Sequence, residues 1–111
     1  MRTRQDNDVV IIWEKNKGFD VQAHNIISSW TTRRWIALEA RGRRIMLCDA
    51  FNKQLLVSRV REVKWDRNGY RLYHQPYRRI SQARSKRFWA FMRHEMIYGG
   101  ARIMALPKGL R

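Results

Sequence analysis

Apolar residues fall along this chain in short clusters, and the spacing within them changes from segment to segment. Val9-Val10-Ile11-Ile12-Trp13 is an unbroken, mostly β-branched run, which favours a buried strand. Gly18 interrupts it, and Phe19-Asp20-Val21-Gln22-Ala23 alternates as a second strand would. His24–Thr32 reads as a polar connection, with Ile26, Ile27 and Trp30 as its apolar members. Trp35–Ala40 is apolar enough for a central strand, Arg41-Gly42-Arg43 for a tight turn, and Arg44–Cys48 for an antiparallel return. Asn52-Lys53 marks a second turn.

From Gln54 to Trp65 the chain reads as one long strand. Val57, Val60 and Val63 do not share a single parity, so a bulge or bend is expected between Arg59 and Glu62. Asn68-Gly69 is a strong hairpin signal. Tyr70–His74 pairs back, and Pro76 ends that strand. Ser81 has the character of a helix N-cap, and no Gly or Pro occurs from there until Gly99-Gly100. At helical spacing Phe88, Trp89, Phe91, Met92 and Met96 share one arc, opposite Lys86, Arg87, Arg93 and His94. Glu95 falls inside the apolar arc and is expected to pair with an arginine. Ile103, Met104 and Leu106 should dock the tail as a short strand or turn. The pattern as a whole predicts an α+β fold: a small antiparallel β-meander, barrel-like in one variant, packed on one long C-terminal α-helix. At 111 residues it predicts a single domain over 1–111.

Charge changes this picture from fold to partner. Lys and Arg number 24 against 9 Asp and Glu, a formal net charge of +15, while 44% hydrophobic content argues against a disordered basic tail. Such self-repulsion calls for a counter-charged partner. Arginine, which dominates, offers a planar fork for phosphates and stacks on rings, so nucleic acid, RNA or DNA, is expected before an anionic membrane. The single cysteine, Cys48, excludes an internal disulfide and suits a reducing, cytoplasmic setting. No apolar run approaches the length of a membrane span, and Met1-Arg-Thr-Arg leads into Asp6 and Asp8 instead of a signal segment.

The candidate chemistry concentrates in Trp65–Met96, where cations alternate with flat rings. Phosphate contacts are expected from Arg59, Arg61, Lys64, Arg67, Arg71, Arg78, Arg79, Arg84, Lys86, Arg87 and Arg93, and base stacking from Tyr73 and Tyr77. Trp89 and Phe91 are assigned to the core. No DNA-reading motif frames the helical arginines, so weak sequence specificity is expected. The corresponding role is a nucleic-acid-binding subunit of a nucleoprotein assembly or a mobile-element accessory factor. A basic face meeting an acidic protein, as an inhibitor or assembly subunit, is an alternative.

Two enzymatic alternatives remain. Gly18-Phe19-Asp20-Val21 followed by Trp35–Gly42 resembles the PD-(D/E)XK nuclease pattern, an acidic residue on one strand and Glu-x-Lys on the next. The resemblance implies Asp20 and Glu39 as Mg²⁺ ligands and Arg41 in the position of the lysine. It covers about a quarter of the chain, and outside it no cofactor is expected. The chain is also similar in size, charge and class to small basic toxins that cut mRNA. That likeness implies a metal-free ribonuclease with Tyr73 and His74 as acid–base groups beside Arg71 and Arg78. The three histidines and Cys48 have no zinc-ligand spacing.

Overall fold

The structure, a computed structural model, describes residues 5–16, 25–30, 34–66, 69–95 and 100–110, with the backbone alone for 25–30, 34, 35 and 66. In chain order the elements are β1 (Val9–Glu14), β2 (Asn25–Trp30), α1 (Arg34–Glu39), β3 (Arg44–Asp49), β4 (Gln54–Asp66), β5 (Gly69–His74), β6 (Arg78–Ser81), α2 (Lys86–Glu95) and β7 (Gly100–Met104), then a single 3-10 turn at Lys108–Leu110. The strands form one mixed sheet in the order β2-β5-β4-β3-β1-β7, with β6 also on β4.

The 13-residue β4 is the spine. One edge of its first half pairs antiparallel with β3, from Gln54 opposite Asp49 to Arg59 opposite Arg44. Its other edge takes β6 beside Gln54–Val57 and β5 beside Val60–Asp66. The expected bulge is present: Val60 pairs with His74 and Glu62 with Tyr73, leaving Arg61 as the extra residue. The hairpin is present too, closed by Asp66 opposite Gly69; its turn residues Arg67 and Asn68 lie outside the described residues. Past Arg59 the β3-side edge of β4 has no strand partner among the described residues. Exposed Arg61, Glu62 and Lys64 are the kind of charge that keeps such an edge from pairing with another chain.

The sheet separates two cores. Val9, Ile11, Trp13, Met46, Cys48, Leu55 and Val57 face α2, which contributes Phe88, Trp89 and Met92. Trp13 and Trp89 meet edge to face, their ring centroids 5.3 Å apart. Val10, Ile12, Ile45, Leu47, Leu56, Val60 and Leu72 face the other way, with Ile36 of α1 and Ala40 just after it. Arg102 of β7 pairs with Glu95 at 3.3 Å, the arginine partner expected for that residue.

These facts correct the expected meander on a long helix. The sheet is mixed because β1 lies between β3 and β7, parallel to the first and antiparallel to the second. A strand covered on both faces wants a continuous apolar run, which Val9–Trp13 supplies. A parallel neighbour needs a crossover, and α1 lies in it. Trp35–Ala40 is therefore no strand. Ala37 and Ala40 are fully buried while Leu38 is 59% exposed, a helical spacing built from good helix formers. His24–Thr32 is no mere connection either, since Asn25–Trp30 is β2, paired with β5. The strand expected at Phe19–Ala23 lies outside the described residues.

The C-terminal helix is short. Ile80 and Ser81 are held in β6 opposite Leu55 and Gln54, so Ser81 cannot begin a helix. Its hydroxyl accepts from the Arg84 amide at 3.3 Å within a turn, and the first helical bond runs from the Trp89 amide to the Ser85 carbonyl at 2.9 Å. The described helix ends at Glu95, ten residues later; Met96–Gly99 lie outside the described residues. Among the described residues no helix is long and apolar enough to cross a membrane.

Candidate nucleic-acid interface

Strand alternation decides where each cation goes. Val57 of the α2-side core stands opposite Arg78, Glu62 opposite Tyr73, and Lys64 opposite Arg71. Cα partners in a ladder project to the same face. Arg59, Lys64, Arg71, Tyr73 and Arg78 thus share the side of the sheet that carries α2, and Arg44 joins them as the register partner of Arg59. Glu62, of the same alternation, is an acid interspersed among them. Lys64 Nζ lies 5.2 Å from the centroid of the Tyr73 ring, a cation–π contact worth about 0.5–1 kcal/mol at an exposed site.

Two like-charge pairs stand directly across the ladder on this face, Arg44 with Arg59 and Lys64 with Arg71. Such pairs weaken a sheet unless an anion sits between them. Arg59 also donates to the Gly42 carbonyl at 2.8 Å, where Gly42, at φ +81°, closes the turn after α1. Arg44 and Arg59 line a cleft of about 500 Å³ together with Asp6, Asn7, Asp8, Val9, Ala105 and Leu106. That end of the face is consequently mixed in charge.

On α2, Lys86, Arg87 and Arg93 are exposed, and so is Arg84 just before it. Arg84, Lys86 and Arg87 line a second hollow of about 350 Å³ against Gly109 and Leu110.

Arg79 and Tyr77 do not join this side. Arg79 stands opposite Leu56 and Tyr77 packs on the other core. Arg79 donates to the Tyr77 hydroxyl at 3.0 Å, and its guanidinium lies 5.4 Å from that ring. Tyr77 is thus engaged within the chain. Arg61 sits in the bulge, and Arg67 lies outside the described residues.

Neither enzymatic arrangement forms among the described residues. Glu39 ends helix α1 and Arg41 stands in the following turn, so the strand-borne Glu-x-Lys geometry is missing; Asp20 lies outside the described residues. No group of three or more His, Cys, Asp or Glu among the described residues could hold a metal ion. The described residues therefore supply no Mg²⁺ site of the kind that the nuclease resemblance implies. Tyr73 and His74 project from opposite faces of β5. His74 is 1% exposed, its Nδ1–H donates to the Gln75 carbonyl at 2.6 Å, and its ring meets Tyr77 edge to face at 5.6 Å. A side chain so enclosed cannot exchange protons with a polymer on the surface.

One residue escaped the sequence reading as a contact. Arg44 was assigned only to a strand, and its place beside Arg59 is set by a register that needs the turn at 50–53. Trp65, 71% exposed, is in register with Tyr70 and faces the side of the second core, away from these cations. No family model, curated protein or solved structure matches the chain.

Proposed function

We propose that the protein binds nucleic acid across the side of the sheet that carries α2. Arg59, Lys64, Arg71 and Arg78 contact phosphates there, together with Arg44, and the exposed basic residues of α2 extend the surface. One observation carries the reading: two in-register like-charge pairs, Arg44 with Arg59 and Lys64 with Arg71, stand on one face, a placement that a polyphosphate bridging them would favour. Neutralising phosphates releases condensed counterions, so affinity depends on salt more than on sequence.

The test is binding to labelled single- and double-stranded oligonucleotides across a salt series. A straight fall of log K with log salt is expected, with a slope corresponding to several phosphates. A flat response, or tight binding only to an acidic protein after nuclease treatment, overturns the proposal.

A further inference from the structure

We infer that the cleft beside the Arg44–Arg59 rung is a pocket for a guanine nucleotide, with Asp6 as the residue that reads the base. The inference rests on the nucleic-acid reading and adds one selective position to it. At about 500 Å³ the cleft has the volume of a small-ligand site. Three kinds of surface meet in it. Val9 and Leu106, 4% and 5% exposed, make it apolar at its base. Arg44 and Arg59 bring two guanidinium groups, and Asp6 and Asn7, both exposed, bring a carboxylate and an amide. The acid stands on a built turn. The Asp8 amide donates to the Gln5 carbonyl at 3.1 Å, and the Gln5 amide donates back to the Asp8 carboxylate at 3.0 Å. Asp6 and Asn7 are therefore the two central residues of a turn closed twice. Arg43 fastens that turn to the end of α1, donating to the Gln5 carbonyl at 2.6 Å and to the Glu39 carbonyl at 2.8 Å. Arg59 is fixed in its turn by the Gly42 carbonyl, so both signs of charge are placed in advance of binding.

These three surfaces select the occupant. It must carry an anionic group, a flat apolar body and an edge of hydrogen-bond donors, which together describe a nucleotide. An acidic protein segment would answer the guanidinium groups but set its own carboxylates against Asp6. Among bases the carboxylate chooses, because it can only accept. Guanine presents two adjacent donors on its Watson–Crick edge, N1–H and the 2-amino group. Adenine and cytosine set a lone pair beside their amino group, and thymine and uracil flank one N–H with two carbonyls. In a duplex the guanine edge is taken by cytosine, so the pocket receives an unpaired base. A free guanine nucleotide has the same chemistry as one in a strand.

The experiment compares the parent with Asp6→Asn on short oligothymidylates of one length. Each carries guanine, hypoxanthine, adenine or cytosine at a single position, and binding is read by anisotropy. Guanosine and adenosine monophosphates serve as competitors. The parent is expected to prefer guanine over adenine and cytosine by about five- to a hundredfold. Hypoxanthine, which keeps N1–H but lacks the 2-amino group, should fall between them. Asp6→Asn should lose most of that preference and bind plain oligothymidylate at least as tightly as the parent, since a negative charge has left a cationic face. A variant that had merely unfolded would lose both. Equal affinity of the parent for all four bases overturns the inference, as does a guanine preference that survives Asp6→Asn; either result leaves the salt-dependent surface standing. Binding of guanosine monophosphate without binding of any strand keeps the pocket and fails the polymer reading. If the parent binds neither strands nor mononucleotides, both fail.

Discussion

Cys48 lies on β3 with no exposed surface, and burial pushes its thiol well above the ordinary range. Only the unfolded chain can ionise it near its usual value of about 8.5. The thiol's contribution to stability is therefore whole below that pH and is lost as pH rises above it. Two outcomes follow. Thiol reagents should leave Cys48 untouched at pH 8 until denaturant opens the core. The stability of the parent relative to Cys48→Ala should fall by up to ~1.4 kcal/mol per pH unit above the ordinary thiol range, read from urea titrations of both proteins. Asp49, the next residue, is also fully buried, yet it accepts from the Asn52 amide at 2.9 Å and from the Asn52 side chain at 2.8 Å. A buried carboxylate is tolerable where a turn satisfies it.

At the scale of elements, the docking of α2 is the most exposed to test. Met92 is completely buried between α2 and the sheet, so Met92→Ala should cost about 2–5 kcal/mol in urea unfolding. How far the elements could be read from sequence depends on what fixes each one. Val9–Trp13, Gln54–Trp65 and Tyr70–His74 carry their own signals of β-branching, alternation and turn chemistry. Even the bulge at Arg61 follows from the parity of the valines. Segment 34–39 does not decide itself, because Ile36, Leu38 and Ala40 satisfy a strand's alternation as well as Ile36, Ala37 and Ala40 satisfy a helix. The crossover between β1 and β3 settles it. The four residues of β6, Arg78-Arg79-Ile80-Ser81, have no strand signature of their own and pair because β4 offers an edge. The candidate site was legible as a composition and not as a surface. Arg59, Lys64, Arg71 and Arg78 converge through register, while Arg79, next to Arg78 on β6, turns to the other face by strand alternation.

For the whole molecule, charge placement sets stability against binding. Lys64→Gln removes one member of the Lys64–Arg71 pair together with the cation–π contact on Tyr73. These losses oppose each other, so stability should stay within about 0.5 kcal/mol of the parent. Binding should respond differently: the salt slope on single strands is expected to drop by about 0.7 for the lost phosphate contact. Denaturation and salt titration of the same variant check the separation. A net charge of +15 spread evenly would make any lysine equivalent in this respect, and a lysine away from the face, such as Lys53 in the β3–β4 turn, serves as the control.

β4 belongs to the molecule twice over, as the partner of β3 in the interior and as one arm of the outlying hairpin. A load on the hairpin end therefore pulls on the same ladder of amides that secures the interior. The load runs along the strand as shear, which many hydrogen bonds resist together. The bulge at Arg61, where one residue of β4 has no partner on β5, is where such a pull would be felt first.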